Sequence, residues 1–184
     1  KALRKGMTAD QIQQAMTYGV SLVNDAIRCE ADNNPEIRHM GTTLVADISR
    51  DDLAVICNIG DSRAYRISRD GINQITKDHS LVEDMVEHGE LTPCEARRHP
   101  NRNLITRALG PDAVAQPDVF SVPWEKGEFI LLCSDGLVNT VTDQEILFEI
   151  IHSDMLDSCL DRLMTVAKGR GAPDNVTAVL LMNI

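Results

Sequence analysis

The sequence predicts an α+β fold. Four short apolar strands follow one another between residues 42 and 75, two more fall within 118–133, and the helical patterns stand apart from them. Strands grouped with strands, and helices with helices, exclude the strict alternation of a parallel α/β sheet. At 184 residues and 43% apolar, the chain has the size of one ordinary domain with a proper core, and a single domain over 1–184 is expected.

Each element has a local cause. Thr8-Ala9-Asp10-Gln11 is a capping box, and Ile12, Ala15, Met16, Val20, Val23 and Ile27 then draw one apolar face along a helix that ends at Asn33-Asn34-Pro35. Strands are expected at 42–48, 53–59, 63–67 and 72–75, joined by Ser49-Arg50-Asp51-Asp52, Gly60-Asp61 and the hairpin turn Arg69-Asp70-Gly71. Connections this short predict an antiparallel meander. A helix from Ser80 to His88 stops at Gly89, and Thr92-Pro93-Cys94-Glu95 opens another with proline at its first position. Pro100, Pro111 and Pro117 make 99–118 irregular. Strands follow at 118–122 and 128–133, and a capping box at Thr142-Asp143-Gln144-Glu145 starts a helix to Ile151. A last helix runs from near Asp154 to Lys168, stops at Gly169, and leads to a strand from Val176 to Met182.

Charge excludes whole classes of partner. A net charge of −10 argues against nucleic acid and against an anionic membrane, both of which select basic surfaces. No apolar run approaches the roughly 20 residues of a membrane span, and Lys1-Ala2-Leu3-Arg4-Lys5 does not lead into a signal-peptide core. Cys29, Cys57, Cys94, Cys133 and Cys159 form neither a zinc pattern nor a disulfide framework, and they read as reduced thiols with Cys57 and Cys133 in strand cores. A cytoplasmic protein is expected.

The chemistry lies at strand ends. Phe129-Ile130-Leu131-Leu132-Cys133 is a buried strand that ends in Ser134-Asp135-Gly136; Gly60-Asp61-Ser62 closes the strand from Leu53 to Ile59; Pro173-Asp174-Asn175 opens the last one. Any one of these aspartates alone is explained as a turn-former. Three carboxylates at three strand ends point instead to an oxygen-ligand site for a hard divalent cation, Mg²⁺ or Mn²⁺.

Six segments also carry a resemblance. They are Met40-Gly41-Thr42-Thr43, Ile59-Gly60-Asp61-Ser62-Arg63-Ala64-Tyr65, Thr76-Lys77-Asp78-His79-Ser80, Leu104-Ile105-Thr106-Arg107-Ala108-Leu109-Gly110, Leu132-Cys133-Ser134-Asp135-Gly136-Leu137 and Asp174-Asn175-Val176-Thr177. Together and in this order they resemble the metal-dependent protein phosphatases of the 2C type in their bacterial form. The resemblance runs from about residue 40 to the end. It implies an α-β-β-α sandwich of antiparallel sheets flanked by helices, with a flap-like insertion over 80–118. It further implies that Asp135 is shared between metals, that Asp174 belongs to the catalytic pair, and that Asp61 holds a labile third Mn²⁺ or Mg²⁺ beside two tight ones. Phosphoserine and phosphothreonine on proteins would be the substrates, with a serine/threonine protein kinase among the partners.

The sequence departs from the family pattern at its start. The family's Arg-x-x-Asn-Glu-Asp and Asp-Gly-x-Gly-Gly-His segments have no counterpart here, so the general acid and the phosphate-gripping arginine are expected upstream of Lys1. The chain reads as the larger, N-terminally truncated part of a phosphatase, with its first strands missing and part of a site. By itself it is expected to be inactive, and unpaired sheet edges would favour self-association.

Other signals were weighed. Arg97, Arg98, His99, Arg102 and Arg107 form the one basic patch, and Arg97, Arg98 and Arg102 are candidates for gripping a phosphoprotein, although a solvated loop explains them equally. Lys168 and Arg170 read as helix-end charges. A Gly-Asp-Ser hydrolase with Ser62 as nucleophile lacks its Asp-x-x-His partner, Cys133 has no histidine near it in sequence, and His79 reads as a loop histidine bonded to neighbours. The leading function is phosphoprotein hydrolysis; the rival is a catalytically inactive, phosphatase-like binding module.

Overall fold

The computed structural model of the chain describes residues 3–4, 6–153 and 155–184. Seven strands, β1 (Leu44–Arg50), β2 (Leu53–Ile59), β3 (Arg63–Ser68), β4 (Gly71–Gln74), β5 (Asp118–Pro123), β6 (Phe129–Cys133) and β7 (Ala178–Met182), form two antiparallel sheets in the orders β1-β2-β5 and β4-β3-β6-β7. Six α-helices accompany them among the described residues: α1 (Ala9–Asn33), α2 (Leu81–Glu87), α3 (Pro93–Ala96), α4 (Asp135–Val138), α5 (Asp143–Ile151) and α6 (Leu156–Gly169).

The alternation of side chains along each strand stacks these elements into four layers. On β2, Val55, Cys57 and Ile59 pack against Ile12, Met16 and Val20 of α1, while Ala54 and Ile56 face inward to meet Ala64 of β3 and Ile130 of β6. On β3 and β6 the outward residues Tyr65, Ile67, Leu131 and Cys133 meet Ile146 and Ile150 of α5 and Cys159 and Leu163 of α6. Helix, sheet, sheet and helix follow one another, and β2, β3 and β6 bury both faces.

One expectation is corrected. Residues 42–75 are not a meander in one sheet: β1 pairs with β2, and β3 with β4, but the chain crosses from one sheet to the other between β2 and β3. A sheet-to-sheet corner and a hairpin look alike in sequence, because each needs only a turn residue between two apolar runs. The corner is Gly60-Asp61-Ser62.

The capped helices stand where their boxes put them. Thr8, Thr92 and Thr142 each accept the N–H of the third helical residue, whose side chain returns the bond. Asp154, the expected start of the last helix, lies outside the described residues, as do Lys1, Ala2 and Lys5. Between β4 and β5 the long connection carries α2 and α3 and returns through two isolated bridges, Ser80 to Ile105 and Thr42 to Leu109.

Candidate metal centre

Asp61 stands on the sheet-to-sheet corner, and the corner is tightly specified. Gly60 has φ +107°, and a Cβ there would lie 2.3 Å from Thr43 Cγ2. Only glycine fits. Thr43 also shares a 2.9 Å hydrogen bond with the Ser62 hydroxyl, so the Met40-Gly41-Thr42-Thr43 segment packs on and bonds to the turn that carries Asp61.

Asp135 follows β6 as the first residue of α4, with Asn139 Nδ2 donating to its Oδ2 at 3.1 Å. Asp174 precedes β7, exposed, its Oδ1 accepting the Asn175 N–H at 2.7 Å. These two segments are joined directly. The Ser134 N–H donates to the Thr177 carbonyl at 3.0 Å, the Thr177 N–H donates to Ser134 Oγ at 3.0 Å, and a Cβ on Gly136 would lie 2.3 Å from the Asn175 carbonyl oxygen. The contact of Gly136 with Asn175 is what sets the Asp135 and Asp174 loops side by side.

Electrostatics reports the same proximities. Burial, and then the charge of Asp135, push the Asp61 carboxyl up to about 6. Burial, and then the charge of Asp174, raise Asp135. The charge of Asp135 thus acts on Asp61, and that of Asp174 on Asp135. Among the described residues no three His, Cys, Asp or Glu side chains gather closely enough to hold an ion. The donor set nevertheless fits a hard divalent cation: all-oxygen, anionic, and mutually repelling in a way that a bound cation would relieve.

Asp61 and Asp135 open onto a cleft of about 260 Å³. Arg97, Arg102 and Asn103 of the β4–β5 connection line it as well. Arg98 is exposed away from this lining, and Asp174 lies outside it. Arg107 is drawn off elsewhere, donating to Asp118 Oδ1 at 3.2 Å. The basic patch thus divides.

Two alternative nucleophiles fall away. Burial first, then nearby carboxylate charge, push the Cys133 thiol up to about 12, which keeps it a core residue. Ser62 is buried and bonded to Thr43, with no base against it.

Three residues at the site went unassigned in the sequence. Arg63 Nη2 donates to Asp78 Oδ2 at 2.7 Å and its Nε to Asp78 Oδ1 at 2.9 Å, while Nη1 reaches the Tyr65 hydroxyl at 3.1 Å. Burial opposes the Arg63 charge, but Asp78 outweighs it and holds the guanidinium above the usual arginine range. His79 is buried and bonds Gly60 and Asp118. The sequence signal for all three was only their place inside the Arg63-Ala64-Tyr65 and Thr76-Lys77-Asp78-His79-Ser80 segments.

Known proteins resemble the chain along most of its length. The chain matches the family described as protein phosphatase 2C over residues 1–180. It is 38% identical over 176 residues to the serine/threonine phosphatase stp of Listeria innocua, covering 95% of this chain and 69% of that protein. It is 35% identical to the protein phosphatase PhpP of Streptococcus pneumoniae over 175 residues, covering 95% of this chain and 70% of that one. The crystal structure of the serine/threonine phosphatase Stp1 from Staphylococcus aureus superposes with a TM-score of 0.92 at 36% identity, covering 100% of this chain and 71% of that one. The catalytic domain of the serine/threonine protein phosphatase PstP, in complex with two manganese ions, superposes at 0.81 with 34% identity, over 97% of this chain and 72% of that one. The chain belongs to the protein phosphatase 2C family.

Proposed function

We propose that this chain carries the larger part of a metal-dependent serine/threonine phosphoprotein phosphatase. The observation that supports the reading most directly is the packing of Gly136 against Asn175, which sets the Asp135 and Asp174 loops side by side, with Asp135 and Asp61 lining one cleft with Arg97 and Arg102. In this reading Asp135 and Asp174 hold the tight Mn²⁺ or Mg²⁺ pair, and Asp61 with Asp135 holds a labile third ion. Two divalent ions so bound supply an acidified water and screen the phosphate charge. The protein's own part is to aim the carboxylates by the Gly136 and Gly60 packing and to hold the phosphoprotein by Arg97 and Arg102, with residues 80–118 acting as a flap.

The same proposal takes the 184 residues as part of a site, because no three of the described His, Cys, Asp or Glu side chains gather closely enough to hold an ion and the chain spans 69% and 70% of the length of the two relatives. Its partners are phosphoproteins, a serine/threonine kinase among them, and its five free cysteines fit a reducing cytoplasm. The outer strands β1, β5, β4 and β7 offer edges for self-association.

The test is Mn²⁺-dependent release of phosphate from a phosphothreonine peptide by the full-length protein, with a chelator control. Asp135→Asn and Asp174→Asn should each leave less than about a tenth of the activity, a barrier change of roughly 1.4 kcal/mol. Retention of more than that removes the residue from the proposed ligands. Metal-independent peptide binding without turnover returns the protein to the rival reading, a phosphatase-like binding module. Robust Mn²⁺-dependent hydrolysis of p-nitrophenyl phosphate by the 184-residue chain alone overturns the partial-site reading.

A further inference from the structure

His79 grips the residue in front of Asp61 at two points. Its backbone N–H donates to the Gly60 carbonyl at 2.9 Å, and its ring Nδ1 accepts the Gly60 N–H at 3.0 Å. Because Nδ1 is the accepting nitrogen, the ring hydrogen sits on Nε2 and donates to Asp118 Oδ2 at 3.1 Å on β5. Arg107 donates to the other Asp118 oxygen at 3.2 Å, which fixes that carboxylate. The ring is 3% exposed, so its bond with Gly60 forms out of water, whereas the Asp118 side chain is 36% exposed. The grip falls on a glycine with φ +107°, where the chain has more backbone freedom to lose than anywhere else in the corner.

The same residue ties the corner to the long connection. The Thr106 N–H donates to the His79 carbonyl at 2.8 Å, and the Leu81 N–H donates to the Leu104 carbonyl at 2.9 Å. Residues 104–107 therefore rest on 79–81, which rest on Gly60.

We propose that His79 is a positioning residue: its ring clamps Gly60, thereby aiming the Asp61 carboxylate, and couples that aim to the base of the connection that carries Arg97 and Arg102. The inference rests on the reading of Asp61 as a ligand of the labile ion. His79 touches neither metal nor substrate.

Two near-isosteres separate the ends of the ring. His79→Asn keeps an acceptor near Nδ1 and loses the contact with Asp118; His79→Gln keeps a donor toward Asp118 and loses the clamp. Calorimetric Mn²⁺ titration of the full-length protein should show the weakest binding event about tenfold weaker in His79→Gln and His79→Ala, one hydrogen bond's worth, and near wild type in His79→Asn. Amide hydrogen exchange at Gly60 and Asp61 should quicken in the same two variants and not in His79→Asn. In an Asp61→Ala background, His79→Ala should leave the titration unchanged, since the effect acts through Asp61. If His79→Asn is as impaired as His79→Ala, or if all three variants titrate and exchange like wild type, the clamp is overturned. If His79→Ala fails to fold, the Asn and Gln pair carries the comparison. An Asp61→Ala titration identical to wild type marks failure of the metal assignment instead, and the exchange rates then decide the clamp.

Discussion

Arg63, two residues beyond Asp61 in the chain, meets Asp78 side-on, through Nη2 to Oδ2 at 2.7 Å and Nε to Oδ1 at 2.9 Å. The Asp78 side chain is 11% exposed and that of Arg63 is 25%. Removing one member strands the other charge, a cost of about 3 kcal/mol, the low end of the range for buried pairs because Arg63 keeps some water. Asp78→Ala should lower the stability measured in urea by that amount. The double variant Arg63→Met/Asp78→Leu should lose clearly less than the two single losses added together. Strict additivity would show that the pair does not act as a unit.

The contact of Gly136 with Asn175 leads to a prediction about loop register. A methyl at Gly136 has to push the Asn175 carbonyl aside from 2.3 Å, and the displaced atom is backbone. Gly136→Ala should cost about 2 kcal/mol, as overpacking does, and should weaken Mn²⁺ binding by parting Asp135 from Asp174. Gly169, at the end of α6, has nothing within 4 Å of its Cβ position, and Gly169→Ala should be neutral or slightly stabilising. Melting curves of the two variants, with and without Mn²⁺, check both halves.

Metal-free stability should depend on Asp61 in a direction opposite to the usual carboxylate. Folded, its carboxyl is pushed from 3.8 up to about 6 by burial and by Asp135, so the folded state holds the proton more tightly than the unfolded chain. The stability it contributes is complete below about pH 4 and is lost as pH rises through about 6. In chelator at pH 7.5, Asp61→Asn should therefore be more stable than wild type, by on the order of 2 kcal/mol. The difference should close toward pH 4, and saturating Mn²⁺ should shrink it by stabilising the wild type alone. A variant less stable than wild type at every pH would leave Asp61 as a turn-former and nothing more.

How much of this was legible in the sequence depends on the range of each interaction. The capping boxes at Thr8, Thr92 and Thr142 are complete within four residues and appear where the sequence puts them. The three aspartates were legible because each interrupts an apolar run. Helix α4 has four residues, too few for any periodicity, and went unseen. The crossing at Gly60-Asp61-Ser62 was missed because two apolar runs joined by a turn residue look like a hairpin, and only their partners β5 and β6, far along the chain, assign β2 and β3 to different sheets. His79 was read as bonding its neighbours, whereas its ring partners Gly60 and Asp118 are 19 and 39 residues away. Nothing local distinguishes such a histidine from one bonded within its own loop.

The arginines of the β4–β5 connection give the most discriminating prediction, because the sequence offers Arg97, Arg98 and Arg102 as equals and the cleft does not. Arg97 and Arg102 share its lining with Asp61 and Asp135, and Arg98 is absent from it. A guanidinium that holds a phosphoprotein equally before and during reaction raises KM when removed and spares kcat. Arg97→Ala and Arg102→Ala in the full-length protein should therefore raise KM for a phosphothreonine peptide about tenfold, within the range of a charge-assisted hydrogen bond, and high salt should blunt the difference. Arg98→Ala should match wild type. With p-nitrophenyl phosphate, which has no peptide for the arginines to hold, all three should match wild type. Wild-type KM values for the Arg97 and Arg102 variants would place the whole patch in solvent and leave substrate grip to residues elsewhere, and equal increases for the Arg98 and Arg102 variants would show that the cleft lining does not select among them.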